Sequence, residues 1–121
     1  MNSHNQSTET LVAERDRTVD LIESLSARLA AVLEATSDEA SDDEHDPEGS
    51  TLAVERGQLV AQLQRSRDRL VEIDSAVERV EHGSYGRCET CGEPIDPERL
   101  DVLPAARQCI DCARKGSTRR W

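Results

Sequence analysis

Two cysteine pairs, CETC at Cys88 to Cys91 and CIDC at Cys109 to Cys112, are separated by 17 residues. Each CxxC makes a tight turn that presents two thiolates about one tetrahedral edge apart. The spacing is that of a four-cysteine zinc site. Gly92, directly after the second cysteine, is expected to let the backbone curl close to sulfur. Pro94, Pro97 and Pro104 loop the second pair back. Four thiolates leave no coordination position for water, so one structural zinc ion held by Cys88, Cys91, Cys109 and Cys112 is expected, with no catalytic role. The redox alternative, a thioredoxin-type CxxC, needs a βαβ setting that the sequence does not show. A zinc site that also responds to oxidants stays open. His82 is a rival ligand, but four cysteines suffice, and it suits the last turn of a helix.

Metal also answers an energetic need. The 121 residues contain no Phe and a single Trp and Tyr, so aromatic side chains supply little core. Beyond residue 84 the large apolar residues are Tyr85, Ile95, Leu100, Val102, Leu103, Ile110 and Trp121. Structural zinc contributes roughly 10–16 kcal/mol of apparent binding energy to such a segment.

Upstream, apolar residues follow heptad steps. Leu11, Ile22, Leu25, Leu29 and Val32 form one stripe, with Arg15 and Thr18 as its polar members. Leu52, Leu59, Leu63, Ser66, Leu70, Ile73, Val77 and Val80 form a second. Ser7 or Thr8 can cap the first helix, with Glu9 in its first turn. Asp46 and Pro47 suit the start of the second, with Ser50 as another cap, and Gly83 suits its end. Neither narrow stripe is stable alone. Folding back buries both in an antiparallel coiled-coil hairpin, roughly 45 Å long for about 30 residues per helix. A continuous helix in a parallel dimer is the rival, disfavoured by Pro47 and Gly49 in the break. The fold expected is therefore mainly α, a helical hairpin followed by a small four-cysteine zinc finger. Its segments are a disordered start (1–6), the hairpin (7–83), the finger (84–113) and a short basic tail (114–121).

The break between the helices, residues 37–50, carries seven acids and no Lys or Arg. Most such runs are solvated loops. At the tip of a hairpin this one can also reach into a recess and meet cations or a bound metal. It is not an EF-hand: Pro47 stands where that loop needs Gly, and Ala53 where it needs Glu.

The formal net charge of −10 opposes general attraction to DNA, which carries about one negative charge per 1.7 Å. Acids interleave with the basic residues of the finger. The one clean cationic cluster, Arg114 to Arg120, suits a solvated tail, or a nucleic-acid-binding zinc module as an alternative function. A redox-responsive zinc interaction protein is a second alternative. No nucleophile–base pair, HExxH, P-loop or Rossmann fingerprint is present, so an enzyme is not expected. No apolar run reaches the roughly 18 residues of a membrane span. The N-terminus has no secretory character, and a cytoplasmic location is expected.

The stretch GSYGRCETCGEPIDPERL, followed by LPAARQCIDC, resembles the zinc-finger signature of the DksA/TraR family of bacterial transcription regulators. The preceding hairpin matches that family's architecture. The resemblance implies zinc at the four cysteines and direct binding to RNA polymerase instead of promoter DNA; a monomer is expected. It implies that the hairpin enters the enzyme's secondary channel and that its tip modulates the active site or the open complex. Some members act with ppGpp, which is assigned to no residue here. The tip candidates are Asp42, Asp43, Asp46 and Glu48. The family's Asp-x-x-Asp-x-Ala turn element is complete in neither register: from Asp43, Asp46 supplies the second Asp but Glu48 replaces the Ala, and from Asp46, Gly49 and Thr51 stand where the second Asp and the Ala should be.

Overall fold

Nothing between residues 2 and 39 interrupts a helix: the segment holds neither Pro nor Gly. In the computed structural model, which describes residues 2–39 and 47–118, α1 accordingly runs Asn2–Glu39. It begins five residues before Ser7, over a stretch whose composition reads as a disordered start. Ser7 and Thr8 thus lie inside the helix instead of capping it. The second helix, α2, spans Pro47–His82. Proline is tolerated there because the first helical N–H has no partner to lose. Ser50 lies within this helix. Short helices α3 (Pro97–Val102) and α4 (Ile110–Thr118) follow. The latter takes Arg114 and Lys115 into a helix, where the sequence reading placed a tail. Among the described residues, the one β feature is an isolated bridge between Arg87 and Pro94.

The long helices form a hairpin, and the chain divides into two packing units. One is residues 16–70. Its core is Leu25, Val32, Leu59 and Leu63, with Ile22, Leu29 and Leu52 packed against them. These are seam residues, so the periodicity located this interface. Of the polar seam members, Thr18 and Ser66 are buried at 5% and 7% exposure. Thr18 lies one heptad before Leu25, and Ser66 three residues after Leu63.

The other unit joins residues 1–15 to residues 71–121. Leu11, Ile73 and Ala76 form its inner cluster, flanked by Val77, Val80, Tyr85 and Ala105. Ala76 is off the heptad seam yet fully buried. The residues after the hairpin cover its face of α2, so burial there extends beyond the stripe. Arg15, by contrast, stays near the surface and pairs with Asp74 at 2.7 Å.

α2 ends as its sequence predicts. Gly83 takes φ of 78°, a conformation that costs other residues about 1–2 kcal/mol. Its N–H donates to the Val80 carbonyl (3.2 Å), and that of Ser84 to the Arg79 carbonyl (2.9 Å). This is a Schellman cap, which satisfies the helix's orphan carbonyls.

Candidate metal centre

Each cysteine is placed by a short hydrogen-bonded turn. In the first, the Cys88 N–H donates to the Glu93 carbonyl (2.8 Å) and the Gly92 N–H to the Cys88 carbonyl (3.0 Å). Gly92 has φ of 77°, yet a Cβ there would meet nothing within 4 Å. Glycine is therefore required by the left-handed backbone, not by close approach to sulfur as the sequence suggests. In the second turn, the Ala113 N–H reaches the Cys109 carbonyl (3.0 Å), and the Cys112 N–H points at the Cys109 sulfur (3.5 Å). α4 starts at Ile110 and so carries Cys112 on its first turn.

α3 spaces the two turns. Asp96 caps it by accepting from the Glu98 N–H (3.0 Å), and Pro97 sits at its start. Arg99 then donates to the Gln108 carbonyl (3.0 Å), and the Gln108 amide to the Thr90 hydroxyl (2.8 Å). The Glu89 N–H donates to the Arg107 carbonyl (2.9 Å). These bonds register one cysteine turn against the other.

The result is four sulfurs that all lie within 4.8 Å of one another. Cys91 and Cys109 are 3.8 Å apart. A tetrahedron with Zn–S bonds of about 2.3 Å has S···S edges of about 3.8 Å, so the set fits zinc. Cys88 and Cys112 are buried with Ile95, against Leu100, while Cys91 is exposed. The backbone N–H of Cys91 draws the Cys88 thiol down to about 6. Hydrogen bonding to the crowded Cys109 and Cys88 sulfurs pushes Cys112 up to about 12. Four thiols packed this closely cannot all ionise without a cation among them. His82 stands apart: its Nδ1 donates to the Glu78 carbonyl (2.7 Å), a contact within α2.

The finger is held to α2 by a polar network that the sequence does not reveal. The Arg79 guanidinium donates to the Ser75 hydroxyl (2.9 Å) and the Ala105 carbonyl (3.3 Å). It also lies 3.9 Å from Glu89, between the first two cysteines. Arg107 joins the same carboxylate (3.7 Å) to Glu72 on α2 (2.9 Å). Burial pulls the Arg79 pKa down, opposed by Glu89. The Tyr85 hydroxyl donates to the Pro104 carbonyl (2.7 Å). Arg79 sits amid ordinary helix-surface charges in the sequence, and no local signal marks it.

Of the tip candidates, Asp42, Asp43 and Asp46 lie outside the described residues, and Glu48 is in the first turn of α2.

Residues 83–115 match the prokaryotic dksA/traR C4-type zinc finger. An uncharacterized protein of Aquifex aeolicus is 50% identical over 46 residues, 38% of this chain and 32% of that protein. The RNA polymerase-binding transcription factor DksA of Caulobacter vibrioides is 42% identical over 59 residues, 46% of this chain and 42% of its own. These matches span less than half of each relative's length. The solved structure of transcription factor DksA2 from Pseudomonas aeruginosa superposes with a TM-score of 0.80 at 28% identity. That superposition covers 98% of this chain and 86% of the other.

Proposed function

We propose, since this chain belongs to the DksA/TraR family of C4 zinc-finger proteins, that it is a transcription regulator acting by direct binding to RNA polymerase. The observation that carries this reading is the extent of the DksA2 likeness. It takes in 98% of this chain, so the likeness extends beyond a finger that other proteins could share. The net charge of −10 supports a protein partner over duplex DNA.

Bound zinc would supply a cation that holds four thiolates together, a structural role only. Around it, Cys88, Cys91, Cys109 and Cys112 close the finger, while Arg79 and Arg107 hold the finger to α2. In this proposal the monomer inserts its hairpin into the polymerase secondary channel. The acidic turn, with Asp42, Asp43, Asp46 and Glu48, meets the active-site region or alters the open complex. Carboxylates clustered closely in sequence are suited to cationic side chains or to a metal's coordination shell.

The test is retention of RNA polymerase on the immobilised, zinc-loaded protein at low salt. Wild type is compared with a variant carrying Asp42, Asp43 and Asp46 changed to Asn. Retention by both, with the effect on open-complex lifetime lost in the variant, is expected. Failure of wild type to retain polymerase overturns the reading. Binding that a known occupant of the secondary channel does not displace would refute the docking mode alone.

A further inference from the structure

The finger and the first turns of α1 enclose a groove of about 570 Å³ that plays no part in the metal centre. Its apolar lining includes Tyr85, Leu100, Pro97 and Pro104, and its carboxylates are Glu9 of α1 and Asp101 of α3. Among the described residues, no Lys, Arg or His lines it. Its volume lies within the roughly 300–1,000 Å³ typical of ligand sites.

We infer that this groove receives an arginine side chain from a protein partner. The walls match the two chemistries of that side chain. An aliphatic stem lies favourably along leucine and proline surface. A guanidinium stacks on an aromatic ring and forks towards carboxylates, which a compact ammonium does less well. Carboxylates from two different elements, Glu9 and Asp101, supply the complementary charge. The aromatic wall is fixed in advance, because the Tyr85 hydroxyl is tied to the Pro104 carbonyl. Burial raises the Tyr85 phenol above its ordinary value, and Asp101 adds to that in the same direction, so that wall stays neutral. The site goes beyond polymerase binding and does not depend on it, since it is defined by the groove alone.

The test is a titration of the full-length, zinc-loaded protein, followed by backbone amide NMR. The probe is N-acetyl-arginine methylamide, with the norleucine counterpart as a neutral control at matched ionic strength. Saturable shifts are expected at residues 7–10, at Gly86 and at Leu100 and Asp101, and only with arginine. The double variant Glu9→Gln, Asp101→Asn should weaken binding by about five- to tenfold while keeping its zinc and its helical signal. Equal shifts with norleucine would show a merely apolar groove and overturn the inference. So would non-saturating shifts scattered over the acidic surface, or unchanged affinity in a folded double variant. Spermidine filling the same groove as tightly as the arginine probe would also overturn it, because the recognised cation would not be a side chain. If the variant does not fold, the arginine–norleucine comparison on wild type still decides.

Discussion

Arg79 carries two separate loads. Its carbonyl accepts the Schellman bond that ends α2, and its side chain reaches the Ala105 carbonyl and Glu89 in the finger. Arg79→Ala leaves that half-buried carbonyl without its side-chain donor. A loss of about 1–3 kcal/mol is expected from the hydrogen-bonding term, measured by urea unfolding of the zinc-loaded protein. Tyr85 offers a pH signature. Burial raises its phenol above the ordinary value of 10, so the fold favours the protonated form. That contribution is complete below pH 10 and is lost as pH rises through the folded-state value. The thermal midpoint should therefore fall on the alkaline side, and Tyr85→Phe should flatten that fall. The four cysteines that come together were legible one by one, because CxxC spacing is a local constraint. The network around Glu89 was not, because it joins residues as far apart in sequence as Arg107 and Glu72, 35 positions.

Among elements, the heptad pattern located the seam but not every buried position. Leu25, Val32, Leu59 and Leu63 were readable because a helix repeats its faces at a known period. Leu25→Ala should cost about 2–5 kcal/mol, read as a lower denaturant midpoint with an unchanged slope. The burial of Ala76 could not be read, since it depends on which neighbour covers that side of α2. Arg15 shows the converse, a seam position that stays near solvent and pairs with Asp74. The upstream start of α1 was missed because a weak helix stretch becomes helical when it continues an established helix. Gly83 was readable as a stop. Gly83→Ala should destabilise by about 1–2 kcal/mol through its positive φ, seen as a lower thermal midpoint.

For the whole molecule, the four-cysteine cluster and the hairpin core are separable sources of order. A chelator should remove the finger's fold while most of the helical circular-dichroism signal survives, because the cluster of Leu25, Val32, Leu59 and Leu63 contains no metal ligand. Cys91→Ser should reproduce the chelated state, with zinc content measured directly. Retention of zinc and of an unchanged transition would refute the structural role of that cysteine.

By itself, the sequence determined the helical hairpin and the four-thiol centre, since both rest on periodicities and spacings within short stretches. Tertiary structure alone decided the seating of the finger on α2, the burial of Ala76 and the walls of the Tyr85 groove. Each of these depends on surfaces distant in the chain meeting in space, and no local pattern encodes that meeting.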